Sequence, residues 1–92
     1  MITTIVLIKA DPKRIPETAM QIAGIEGVQD VYSVSGEWDL VAIVKVPAYE
    51  QIAQVVTERF PAVSGIVRTQ TLTAFRAYSR KDLEQAWDIG VS

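Results

Sequence analysis

The chain contains no cysteine and no histidine. The first absence excludes a disulfide framework and thiolate chemistry, and it fits a reducing compartment. The second removes the commonest general base and the commonest metal ligand. Basic residues are few as well: nine Lys and Arg stand against eleven Asp and Glu, and no more than two basic residues adjoin. Most nucleic-acid affinity comes from neutralising phosphates, so direct binding to DNA or RNA is not expected at a formal charge of −2. No apolar run approaches the ~20 residues of a membrane span. The start at Met1 lacks the basic segment, apolar stretch and small-residue cleavage site of a signal peptide. A cytoplasmic location is the default expectation. The acids are scattered without the spacing of a cation loop, so neither a metal site nor a cofactor is expected.

What is present is apolar and periodic. With 92 residues, 49% of them hydrophobic, the chain is expected to form one domain over 1–92. A chain of this size buries only roughly 60% of its unfolded surface, so burial against a partner would add to a thin margin. Ile2–Ala10 (ITTIVLIKA) is β-branched and ends at Asp11-Pro12, which predicts a strand. Pro16-Glu17 opens a helix carrying Ile15, Ala19, Ile22 and Ala23 at helical spacing, closed by Gly24 and Gly27. Val28–Ser35 predicts a second strand, Gly36–Asp39 (GEWD) a turn, and Leu40–Val46 (LVAIVKV) a third strand stopped by Pro47. Tyr49, Ile52, Ala53, Val56 and Phe60 predict a second helix that Pro61 ends. Gly65–Phe75 predicts a Thr-rich fourth strand. Leu83, Ala86 and Trp87 predict a short amphipathic tail helix over about 79–90. The order βαββαβ gives two right-handed crossovers joined by a hairpin. That is the α+β ferredoxin-like sandwich, an antiparallel sheet with two helices on one face.

The strands are apolar on both sides. Leu40, Ala42, Val44 and Val46 alternate with Val41 and Ile43, and Ile2, Val6 and Ile8 alternate with Ile5 and Leu7. Two helices cover one face of such a sheet, so the other needs a second cover. The expected cover is the same face of another copy about a two-fold axis, an assembly of the dimeric α+β barrel type. The competing cover is the tail folded back.

The segment Gly27–Leu40 (GVQDVYSVSGEWDL) resembles the effector-binding, or RAM, domain of the Lrp/AsnC transcriptional regulators. The resemblance is carried by Gly27-Val28, Tyr32, Gly36 with Asp39, and the apolar run Leu40–Val46. It continues through Pro61, Gly65, Val67 and Arg68-Thr69-x-Thr71 to cover nearly the whole chain. The motifs are short, and their order carries the signal. The resemblance implies dimers formed through the sheets, rings such as octamers, and an amino acid bound between dimers near the hairpin turn. It places Gly36, Trp38 and Asp39 near that pocket, with Thr69 and Thr71 as polar contacts. Full-length members carry an N-terminal DNA-binding module. The match here begins at Met1, so a stand-alone domain is expected, without DNA binding of its own.

Each of these residues also has a plainer role. Gly36 serves the turn, Asp39 can bond its own backbone, and Trp38 suits an interface. Thr69, Thr71 and Thr73 share one strand face as a ladder. Arg68 and Arg76 are both able to hold a carboxylate, and spacing does not choose between them. Glu37 reads as a solvated turn residue. The function expected is an oligomeric sensor of an amino acid or related metabolite, modulating full-length Lrp/AsnC regulators by co-assembly. One alternative is a cofactor-free enzyme of the dimeric α+β barrel type. Without His or Cys it would rely on acids, Lys, Tyr32, Tyr49 or Tyr78, none at a telling spacing, so no catalytic residue is assigned. The other alternative is an oligomerisation module without ligand.

Overall fold

The computed structural model describes residues 1–80. The expected tail helix, with Leu83, Ala86 and Trp87, falls almost wholly on residues 81–92, outside the described part. The described elements are β1 (Ile2–Ala10), α1 (Ile15–Ala23), β2 (Val28–Ser33), β3 (Leu40–Val46), α2 (Tyr49–Gln54) and β4 (Ile66–Thr73). The four strands form one antiparallel sheet in the order β2-β3-β1-β4. This is the ferredoxin-like βαββαβ sandwich. The bounds of β1 and β3 are those expected from their β-branched apolar runs and the stops at Asp11-Pro12 and Pro47; β2 and β4 are each shorter by a few residues.

Alternation decides which side chains enter the core. Thr4, Val6, Ile8 and Ala10 on β1, with Leu40, Ala42, Val44 and Val46 on β3, are buried beneath the helices. Ile22 of α1, with Ile52, Val55 and Phe60 from the second helical segment, completes the cluster. Burying each large aliphatic or aromatic side chain contributes about 1.5–3 kcal/mol. The odd-numbered neighbours Ile5, Leu7, Val41 and Ile43 are only half-buried, because no described helix lies over them. Residues opposed in an antiparallel register share a face, so Tyr32 joins them opposite Val41 and Leu72 opposite Ile5. The sheet is apolar on both faces, as its sequence predicts, and is covered by helices on one.

The second helical segment departs from the expected pattern. After Gln54 it widens into a π-helical turn over Val55–Arg59, closed by the Phe60 N–H on the Val55 carbonyl, and then tightens to a 3-10 turn over Phe60–Ala62. The extra residue turns Ile52, Val55 and Phe60 inward, while Tyr49 and Ala53 face out and Val56 sits half-buried. Pro61 has no N–H to donate backwards, and its ring needs space beside the preceding turn. The wide turn provides that space, and the chain passes through Pro61 instead of stopping at it.

Two glycines set the geometry near the site. Gly65 (φ +96°) precedes β4 where α1 crosses closely, and a Cβ there would overlap the hydroxyl of buried Thr18. Gly36 (φ +111°) sits in the hairpin turn with open space around it. Gly36→Ala therefore incurs only a backbone penalty of about 1 kcal/mol, whereas Gly65→Ala adds a steric clash and costs at least about 2 kcal/mol. Urea midpoints of the two variants check this order; equal losses would contradict the close approach.

Candidate functional site at the hairpin turn

The β2–β3 hairpin ends beside the last residues of β1. Val34 N–H donates to the Asp39 carbonyl at 3.0 Å, closing the turn, and Asp39 N–H donates to the Ile8 carbonyl at 3.0 Å, continuing the β1–β3 ladder. The Asp39 carboxylate then acts as one more rung. Its Oδ2 accepts the Ala10 N–H at 2.9 Å, just where the register of β1 with β4 shifts between Lys9 and Ala10. The bond is not the local turn contact expected of Asp39: its Oδ2 reaches the backbone of β1, 29 residues away in sequence. Its Oδ1 has no hydrogen-bond partner among the described residues.

Around this anchor stand groups of opposite charge and one indole. Lys9 Nζ donates to the Glu37 carbonyl at 2.7 Å and lies 4.0 Å from Asp39 Oδ2. Arg68 stands opposite Lys9 across the β1–β4 ladder. Its guanidinium carbon sits 4.8 Å from the centre of the Trp38 ring, within cation–π range. It also lies 3.7 Å from Glu37 Oε1. The Arg68–Glu37 pair is largely exposed, so it is worth no more than about 0–1 kcal/mol. The cluster thus holds a cation on an aromatic surface at the rim of the uncovered sheet face.

Three of the five expected ligand residues, Gly36, Trp38 and Asp39, come together in this turn. Thr69 and Thr71 do not join them. They pair with Ile8 and Val6, so they lie on the helix side of β4, whereas Arg68 lies on the other. Thr69 instead lines a groove of ≈220 Å³ with Val56, Phe60, Pro61, Ile66, Val67 and Arg68. Thr71 is exposed further along the edge strand. Larger hollows of ≈290 and ≈600 Å³ lie at the opposite end of the sheet, around Met1 and Lys45. Glu26, Lys45 and Arg59 line the first, and Tyr49, Phe75 and Arg76 the second. Glu37, expected to be a plain solvated turn residue, instead pairs with Arg68, and no motif in the sequence marks Lys9. The signal for Lys9 is its place as the one charged residue in the run Ile2–Ala10. Among the described residues no three acids converge as metal ligands, and no helix is long and apolar enough to cross a membrane.

Similarity to known proteins covers most of the chain. The family model described as the Lrp/AsnC ligand binding domain matches residues 3–83. An uncharacterized HTH-type transcriptional regulator from Pyrococcus furiosus is 37% identical over 76 residues, covering 79% of this chain and 51% of that protein. The chain therefore spans about half the length of the curated relatives it matches. A Thermus thermophilus protein of known crystal structure is 44% identical with a TM-score of 0.81, covering 87% of this chain and 100% of that one. A Neisseria meningitidis transcriptional regulator in complex with L-Met shares the fold, with a TM-score of 0.75 at 12% identity. That match covers 86% of this chain and 53% of the regulator.

Because Asp39 extends the ladder, Asp39→Ala strips the Ala10 N–H of its acceptor and costs about 2 kcal/mol. At 4–8 °C per kcal/mol, that lowers the melting point by roughly 10 °C. Asp39→Asn keeps an acceptor oxygen and loses less than half as much. Calorimetry distinguishes this from a purely ligand-facing carboxylate, for which both variants would melt like the wild type.

Proposed function

The chain belongs to the Lrp/AsnC ligand-binding domain family, and from that premise we propose that it is a non-enzymatic sensor of an amino acid or a closely related metabolite. One observation carries the reading. The hairpin turn gathers Trp38, Arg68, Lys9, Glu37 and Asp39 into a small patch of alternating charge beside an aromatic ring. A zwitterion of a few ångströms needs an anion acceptor, a cation acceptor and an apolar wall, and the patch has all three. Gly36 leaves room above the turn. Thr69, and beyond it Thr71, offer hydroxyls along β4 on the side where the ≈220 Å³ groove opens.

The uncovered sheet face supports an assembly. A second copy laid face to face about a two-fold axis would bury Ile5, Leu7, Val41, Ile43, Tyr32 and Leu72 against the same residues. The hairpin turns would then stand at the rim of the dimer, where further dimers can meet in a ring such as an octamer. Shared interfaces would let this chain join full-length relatives and alter their assembly. In this scheme, in the cytoplasm, DNA contact is made by HTH-type regulators of the kind the chain matches over about half their length.

Thermal melting against each of the twenty amino acids, L-methionine included, tests the sensor reading. A ligand that binds the folded state raises the melting point with concentration, by about 10 °C or more at a hundredfold excess over Kd. At least one amino acid is expected to do so, and Trp38→Ala is expected to remove the shift. No shift from any of the twenty overturns the reading.

A further inference from the structure

We propose that Arg68 receives the ligand's carboxylate, and that the Glu37 side chain competes with the ligand for the Arg68 guanidinium. The proposal rests on the sensor reading of the same site and adds which residue selects the ligand and what gates it.

Five arginines lie among the described residues, and the geometry separates them. Arg14, in the β1–α1 connection, donates to Ser64 Oγ. Arg59 lines the hollow at the other end of the sheet, and Arg76 another there. Arg80 follows the β4 strand by several residues. Only Arg68 has its guanidinium at the hairpin turn, held against Trp38. The indole contact orients the group at little entropic cost and leaves N–H donors for a carboxylate fork.

A carboxylate already stands there. Glu37 Oε1 lies 3.7 Å from Arg68 Nη2, beyond hydrogen-bond length, and through one oxygen only. Both side chains are mostly exposed, at 60% and 74%. This is a loose, solvated pair, the kind an external carboxylate with bidentate geometry displaces. The Glu37 backbone stays in place, because its carbonyl is held by Lys9. Displacement therefore needs only side-chain rotation, not rearrangement of the turn.

The neighbouring charges fit a zwitterion rather than a simple anion. Lys9 stands opposite Arg68 in the ladder and within 4.0 Å of Asp39. The unengaged Oδ1 of Asp39 is left to face an α-ammonium while Arg68 holds the α-carboxylate. The recognised class is thus α-amino acids with a free carboxylate. Their α-carboxamides should be rejected, since an amide neither carries the charge nor displaces Glu37.

Calorimetric titration of each amino acid that raises the melting point, alongside its α-carboxamide, tests this. Wild-type protein should bind the acid at least about tenfold more tightly than the amide. Arg68→Gln, a change at an exposed side chain, should bring that ratio near one while the circular dichroism spectrum stays native. Arg68→Lys, with a charge but no fork, should retain part of it. Glu37→Gln should tighten the acid several-fold and the amide little. If Arg68→Gln keeps the wild-type ratio, or Glu37→Gln fails to favour the acid, the assignment of these two residues is wrong while the sensor reading stands. If no amino acid binds wild-type protein at all, both fall together.

Discussion

A four-stranded sheet apolar on both faces and roofed by helices on one is the constraint from which the other features follow. β1 lies between β3 and β4, and its alternate residues divide into two apolar rows. One row, Thr4 to Ala10, is sealed by α1 and the second helical segment. The other, Ile5 and Leu7, meets Val41 and Ile43 on β3 and remains half open. Exposed apolar surface of this kind costs about 25 cal/mol per Å², and in a domain this small the loss is a sizeable share of net stability. The partner face proposed above would remove that cost, and association would then contribute to folding itself.

The hairpin site is a consequence of the same sheet. β3 runs out at Leu40, and the chain must turn beside the end of β1. Asp39 makes that junction with its backbone N–H and its carboxylate, so the turn is fastened to the central strand and not left as a free loop. A fastened turn presents Trp38 and the Glu37 backbone at fixed places. Arg68 and the Glu37 side chain, by contrast, are solvated and weakly paired. Rigid support under solvated, weakly paired charges is what the proposed ligand response would need.

Much of this was legible in the residues. The β-branched, apolar runs ITTIVLIKA and LVAIVKV, stopped by Asp11-Pro12 and Pro47, define β1 and β3 to the residue, because central strands bury one row and half-bury the other. The edge strands were less legible. β2 and β4 carry mixed rows of polar residues whose ends depend on pairing, not on pattern. The π turn was hidden because Val55 and Val56 are both apolar and helical spacing favours the second, although the first enters the core. The family resemblance puts Gly36, Trp38 and Asp39 near one pocket, and as neighbours in one turn they lie together. The choice of Arg68 over Arg76 needed the register, and a bulge beside Val67 places Arg68, not Val67, opposite Lys9. The same register puts Thr69 and Thr71 on the other side of β4, which no local pattern reveals.

Most directly, the uncovered face is tested by the mass of the purified protein in solution, measured by light scattering over a hundredfold range of concentration. The chain weighs 10.2 kDa. A particle of an even multiple of that mass is expected, persisting to low micromolar concentration and reduced by Ile43→Glu. A folded 10.2 kDa monomer across the range would show that the open face is stable in water and that no second copy is required.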